Sequence, residues 1–544
     1  MKITNFLICS SFTLLSCNAT TNAIPALPDR LVLDASVFSD ASHLVDATVS
    51  DASVSTATQS AANLNSTIGI NLEYAKDWVG HWPFVDTFKL ARTWIPQQVS
   101  PEIWDCRSEA CAVGHELSLT PEGWIASLKP NQAVGTLLFI NHDGHFPVGR
   151  YTVLYDGEGT LRFSWDARVI TRIPGKIIIE VTPSPAGIYI QQTSTNSQNP
   201  LRNIKVIMPS FESTHENEPF HPLFLHSLSK FKIIRFQHWH VINEQYDDEA
   251  VITWEDLPPL QSFQSTWRGV HPVWMIKLAN ELSADAWFHI PHKADDDFVY
   301  KFATLVKKEL RSDLKVYIEY SNEVWNYAFP QSQYAGDEGM RLGLSHEHWE
   351  ANLRFYSERS VEIFDIWRQV FANDDRLVCV LAGQAANPWH GAYLMDWKQA
   401  FQKADVYATA PYIAGEGGTT VTEILDNLEK DISVVMQKER ENFSNANTRG
   451  LKHITYEGGQ HLIGFDQQNR ALFLEANRHP RMKEIYLDYL SEWFKISDGP
   501  FVHYTYVMIP SEWGAFGALE YQDQLRGDAP KYDALLTFIE NQQK

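Results

Sequence analysis

Basic side chains are in short supply in this 544-residue chain, with 45 Lys and Arg against 67 Asp and Glu and a formal net charge of −22. A nucleic-acid backbone is bound through a basic footprint, so overall charge argues against that class of partner. The same balance suits a neutral or cationic substrate better than a heavily sulfated one. Long apolar runs are missing too: past the N-terminal segment, none is long enough to cross a membrane as a helix. Cysteine is scarce, with five residues. Cys379 lies in the apolar run Leu377-Val378-Cys379-Val380-Leu381, which predicts a buried, inert thiol. Cys106 and Cys111 lie close together in a polar stretch, where a small-loop disulfide is expected.

Lys2 followed by the mostly apolar Phe6 to Leu15 reads as an export signal, too short for a permanent membrane helix. It contains Cys9. Leu14-Leu15-Ser16-Cys17 resembles a bacterial lipobox, which would make Cys17 the lipidated first residue of an envelope protein. The alternative is an ordinary signal peptide cut after Ala19 or Ala23. Residues 18–64 are rich in Ala, Ser, Asp and Thr and read as a disordered tether after a signal at 1–17.

Large aromatics are plentiful, with 18 Trp and 21 Tyr. Such rings fill cores, and they also stack on the apolar faces of sugars. From Ile68 on, strand-like and helix-like runs alternate. Eight candidate strands start at Ile68, Lys232, Ala286, Lys315, Leu377, Val406, His453 and Phe501. Helical patterns are predicted at Phe84–Arg92, Asp296–Leu310, His348–Val370, Val421–Lys438 and Arg470–Phe494. This α/β rhythm predicts a (β/α)8 TIM barrel built from 65–99 and 206–544. Between its two pieces, 100–205 has short alternating runs, with Asp156-Gly157-Glu158-Gly159 as a hairpin turn. That region reads as an inserted all-β sandwich. Its Trp104, Trp124 and Trp165 could meet glycan, but bracing of the barrel is the favoured reading.

In a TIM barrel the active site sits at the C-terminal strand ends. Two Glu fall there: Glu323, after the fourth predicted strand, and Glu457, after the seventh. Two carboxylates facing one cavity are the working parts of glycoside cleavage. Strand alternation alone would put Asn322 and Glu323 on opposite sides. Both can face a substrate only where the strand gives way to a loop.

Glu319-Tyr320-Ser321-Asn322-Glu323 resembles the fourth-strand motif of clan A retaining glycoside hydrolases, in which Asn precedes the acid/base Glu. Glu457 matches the clan's seventh-strand nucleophile. Ile234-Arg235-Phe236 resembles the segment carrying its buried Arg. Ala410-Pro411-Tyr412 resembles the sixth-strand end whose ring touches the nucleophile, and Trp513 resembles the Trp flooring the sugar subsite. The resemblance covers roughly 66–96 and 206–540. It implies Glu323 as acid/base and Glu457 as nucleophile, held anionic by Arg235 and Tyr412. It implies Asn322 on the sugar 2-hydroxyl. Trp513, Trp325 and Trp239 are the expected stacking rings. The expected partner is a carbohydrate, with no nucleic acid, no cofactor and no metal, and a membrane only through the lipid anchor.

Two other readings compete. His238 and His240 lie two apart, a spacing that on a strand points both to one side and can place two metal ligands, with His289, His292 and Asp295 to Asp297 nearby. That would be a metal-dependent hydrolase. The blander role is hydrogen bonding to sugar hydroxyls or orienting a carboxylate, favoured for His240 and His292. A non-catalytic carbohydrate-binding lipoprotein is the third reading.

Overall fold

The computed structural model describes residues 68–243, 251–372, 374–415, 417–464 and 466–542. The expected signal at 1–17, the tether at 18–64, Cys9 and Cys17 lie outside the described residues.

Eight short parallel strands make one sheet: Ile68–Asn71, Ile233–Arg235, Asp285–Ile290, Val316–Tyr320, Leu377–Ala382, Val406–Thr409, Lys452–Thr455 and Phe501–His503. The eighth pairs beside the first, and the seventh lies at the other edge. Thr455 joins these edges: its N–H donates to Pro500 O at 3.2 Å, and its hydroxyl accepts the Val502 N–H at 2.8 Å. The result is a (β/α)8 barrel. Ile233, Trp287, Tyr317, Val380, Ala408, Ile454 and Val502 fill its interior as one cluster. The first strand contributes Gly69 at this level. A Cβ there would lie 2.8 Å from Ile233 Cβ, so only glycine lets the neighbouring strands close in.

The helices outside form for readable reasons. In Asp296–Glu309, Asp295 accepts the Phe298 N–H at 2.7 Å as an N-cap, a contact worth about 1 kcal/mol. Asp296 and Asp297 occupy its first turn, Lys307 and Lys308 its last, matching the helix dipole. Phe298, Val299, Phe302, Ala303 and Val306 form its buried stripe.

Several boundaries differ from expectation. Phe84–Arg92 is not an α-helix; only Thr87–Leu90 makes a 3₁₀ turn. Its residues are buried nearly all round, so no polar face exists, and Asp86 Oδ1 accepts the Val206 N–H at 2.9 Å, tying the segment to a strand. The pattern read as one helix over Arg470–Phe494 is two, Gln467–Arg478 and Arg481–Phe494, because Pro480 cannot continue the first.

The all-β region begins earlier than expected, at Ile95. It lies between the first barrel strand and the short helix Pro222–Leu228 that leads into the second. One four-stranded antiparallel sheet runs Ile95–Gln98, Gln132–Leu138, Ile188–Thr195, Gly159–Trp165. The other runs Arg202–Ile207, Gly149–Asp156, Lys176–Val181, Ala167–Ile173. Val134, Leu161, Ile188 and Ile190 of the first and Val153, Ile177 and Ile179 of the second are fully buried. Trp124 is also buried, against Phe88. Cys106 and Cys111 form a disulfide, and Cys379 is buried and free.

Candidate active site

An open cleft of about 260 Å³ lies over the C-terminal strand ends, with Asn322, Glu323, Tyr412 and Glu457 in its wall. The fourth strand stops at Tyr320. Ser321 (φ 57°) and Glu323 (φ 43°) then take left-handed backbone, which costs a residue with a Cβ roughly 1–2 kcal/mol. The surrounding bonds sustain that strain. Ser321 N–H donates to Ile290 O at 2.8 Å, Gln331 Nε2 to Asn322 O at 2.7 Å, and Asn352 Nδ2 to Val324 O at 2.9 Å. This twist turns two adjacent side chains, Asn322 and Glu323, toward the same cleft.

Arg235 is the charge hub beneath it, with no exposed surface. Its Nη1 donates to Glu457 Oε1 at 2.7 Å and to Asn71 Oδ1 at 2.9 Å. Its Nη2 donates to Asn322 Oδ1 at 2.8 Å and to Glu319 Oε2 at 3.0 Å. Glu319 also accepts the Trp287 indole N–H at 2.9 Å. Two buried carboxylates thus share one guanidinium, an arrangement in which removing the cation would strand both.

The two cleft carboxyls have different surroundings. Glu457 accepts from Arg235 and, on Oε2, from the Tyr412 hydroxyl at 2.8 Å. Burial pushes its carboxyl up, while the guanidinium and then the phenol pull it back. Glu323 has only neutral donors: Tyr456 hydroxyl at 2.9 Å to Oε1 and Asn326 Nδ2 at 2.9 Å to Oε2. Burial, followed by the charge of Glu457, pushes Glu323 up to about 7. Environments that drive two carboxyls apart assign them different tasks. Both carboxyls stand above their ordinary range, but Glu457 alone has a cation beside it to favour its charged form.

The aromatic and histidine expectations fare unevenly. Trp325 lines the cleft. Trp239 does not: it is fully buried beside Phe84 and Phe236. Trp513 is exposed and absent from the cleft wall, because it sits in a turn closed by Ser511 and Gly514. Tyr504, just past the eighth strand, and Phe516 form that wall instead, with ring centroids 5.5 Å apart. The second strand ends at Arg235, so the two-residue alternation does not reach the histidines. The chain turns, with His240 N–H donating to Phe236 O at 3.0 Å. His238 faces the cleft, while His240 packs against Phe288 and Phe302. His292 is buried beside Tyr334 and away from the cleft. His289 Nε2 lies 3.1 Å from Glu319 Oε2. Among the described residues, no three His, Cys, Asp or Glu are grouped to hold a metal ion.

Sequence reasoning passed over several residues. Tyr456, the residue before Glu457, carries a hydrogen bond to Glu323 that local pattern does not reveal. Glu73 lies beneath His238, its Oε1 2.8 Å from His238 Nδ1, and His238 stacks on Tyr74 at 4.1 Å. Burial would raise the Glu73 carboxyl, but His238 overrides it and holds Glu73 below its ordinary range. Asn326, three residues after Glu323 and bonded to it, is the one of these that nearness in sequence could have found.

Two helper contacts give a first test. Tyr412→Phe removes a donor to Glu457, and Asn322→Ala removes an acceptor of Arg235 in the cleft wall. Each is expected to lower turnover by about 10²-fold or more, the size of one transition-state contact. Melting curves should move little for Tyr412→Phe. Full activity of Asn322→Ala would show that this strand end does not meet substrate.

No family model and no curated protein matches the chain. Solved structures similar to it include a GH51 arabinofuranosidase from Xanthomonas axonopodis pv. citri, at 11% identity and TM-score 0.38, covering 61% of this chain and 67% of that one. A 4-O-α-L-rhamnosyl-β-D-glucuronidase from Fusarium oxysporum is similar at 13% identity and TM-score 0.37, covering 58% and 63%. An endo-1,4-β-xylanase from Penicillium canescens is similar at 10% identity and TM-score 0.32, covering 60% and 91%. The chain spans less than two thirds of the Fusarium enzyme. Likeness at this level says nothing about substrate.

Proposed function

We propose that this chain is a retaining glycoside hydrolase that cleaves a poly- or oligosaccharide by double displacement. The carrying observation is the asymmetric carboxyl pair: Glu457 held by a cation and a phenol, Glu323 by neutral donors only. In the first step Glu457 attacks the anomeric carbon while Glu323 gives its proton to the leaving oxygen. Glu457 spends its charge in the covalent bond, which lowers the field on Glu323. Glu323, now a carboxylate, takes a proton from the incoming water, and C–O cleavage regenerates Glu457. Arg235 and Tyr412 hold the nucleophile's charge in the ground state and on the leaving side of the second step. Trp325, Tyr504 and Phe516 offer apolar faces to the sugar, and His238 a polar edge.

Turnover on a polysaccharide panel, with and without a chelator, tests this. Reducing ends should appear equally in both arms. Loss under chelation would favour the metal-dependent hydrolase, and no turnover on any glycan would favour the non-catalytic binder.

The proposal extends to location: an exported envelope protein, anchored by lipid on Cys17 and reaching its substrate on the 18–64 tether. The Leu15-Ser16-Cys17 string and the low-complexity stretch after it support this. In a bacterial host, Cys17→Ala is expected to move the protein from the membrane pellet to the soluble fraction. Unchanged pelleting would sink the anchor.

A further inference from the structure

The outer face of one β-insert sheet carries an aromatic cluster far along the chain from either catalytic Glu. Trp104 and Trp165 are 37% and 50% exposed. Their planes lie within 22° of each other, with centroids 5.8 Å apart, so the rings are offset and do not cover one another. Tyr189 fills the angle between them, 4.7 Å from Trp104 and 5.2 Å from Trp165. Trp124, the third Trp of the insert, is buried by comparison.

The cluster is built rather than incidental. Gly135, on the neighbouring strand, leaves the room beneath it. A Cβ there would come 2.7 Å from Gln97 Nε2 and 2.9 Å from Tyr189 Cε2. Gln97 Oε1 accepts the Tyr189 hydroxyl at 2.7 Å and the Gln191 amide at 3.0 Å. Gln97 is only 2% exposed, and its Nε2 has no hydrogen-bond partner among the described residues. An unpaired buried donor is a cost that packing alone does not call for. The loop carrying Trp104 is pinned on both sides. Gln98 and Ile103 exchange backbone bonds at 3.0 and 2.9 Å, Cys106 N–H donates to Pro96 O at 2.9 Å, and Cys106 is bonded to Cys111. Such preorganisation lowers the entropy lost on binding.

We propose that Trp104, Trp165 and Tyr189 form a second carbohydrate-binding site, separate from the catalytic cleft, for a neutral polysaccharide of flat, equatorially linked sugars. Flat C–H faces match offset, nearly parallel rings, and amides and a phenol are the hydrogen-bonding groups beneath. Charge complementarity selects against a polyanion. Burial foremost, with the Glu102 carboxylate adding to it, raises the Tyr189 hydroxyl to about 12, so the floor is neutral with an acidic neighbour. The role would be to hold polymer near the enzyme while the cleft works.

Affinity electrophoresis of the full chain, in a Glu457→Gln background that prevents turnover, tests the site. The gels contain hydroxyethylcellulose, glucomannan, pullulan or alginate. Retardation is expected with hydroxyethylcellulose or glucomannan. Trp104→Ala and Trp165→Asn should each weaken it by at least about ten-fold, the scale of one good ring contact. Asn suits the left-handed backbone at Trp165 (φ 64°), which guards the fold. With Glu457 restored, both variants should keep wild-type rates on a small aryl glycoside. Absence of retardation in the first two gels, retardation only in pullulan or alginate, or retardation unchanged in both variants would overturn the site. Concentration-dependent self-association lost in the variants would overturn it in favour of a dimer contact. Binding that depends on these Trp but comes without turnover on any glycan would instead leave this site standing and remove the catalytic proposal.

Discussion

Glu457→Ala is expected to lower turnover by about 10⁴-fold or more, because no covalent intermediate can form. The melting temperature should not fall in proportion. The substitution leaves Arg235 paired with Glu319 rather than stranded. Added azide should occupy the vacated space and attack an activated aryl glycoside directly, giving a glycosyl azide of inverted configuration. That product identifies the nucleophile, since only an external anion taking the place of Glu457 can invert. A variant that keeps more than a few per cent of activity without azide would exclude Glu457 from covalent chemistry.

Glu323→Ala should behave differently on the same substrate. With a good leaving group the intermediate forms without acid help, and its hydrolysis stalls for lack of a base. A burst of aryl alcohol followed by slow turnover is expected. Azide needs no base, so it should restore turnover and yield an azide of retained configuration. On substrates with poor leaving groups the loss should be about 10²–10⁴-fold, the usual worth of acid catalysis. The wild-type pH profile should carry the same signature. In the proposed mechanism Glu323, raised to about 7 by burial and by Glu457, is the proton donor. Rate on an unactivated glycoside should therefore fall as pH rises through about 7, and this limb should vanish for Glu323→Ala. The same azide stereochemistry from both variants would refute the assignment of the two roles.

Much of this was legible in sequence. Eight strand-like runs with helices between them already implied a closed parallel barrel, because short β and amphipathic α runs in alternation have few other ways to bury their apolar faces. The positions of Glu323 and Glu457 at strand ends were likewise a matter of counting. The histidines were harder. A two-residue spacing points both side chains one way only inside a strand, and the strand ends at Arg235 before either histidine. The aromatic platform was legible only at Trp325, because a Trp is as much core as sugar contact until its neighbours are known. Trp239 went inward, Trp513 outward, and Tyr504 and Phe516 took the wall.

By itself, the sequence determined what depends on local pattern and on composition. Those are the α/β order, the β-rich insert, the acidic surface that disfavours polyanions, and the two strand-end carboxyls. Tertiary structure decided what depends on distance between residues far apart in the chain. Arg235 meets Glu457 across 222 positions, and Tyr456 meets Glu323 across 133. Whether a carboxyl is an acid or a nucleophile is set by its partners and its burial, and neither exists until the barrel closes. The strained turn at Ser321 and Glu323 belongs to the same class, since only the packed surroundings can hold two side chains in a backbone they would otherwise leave.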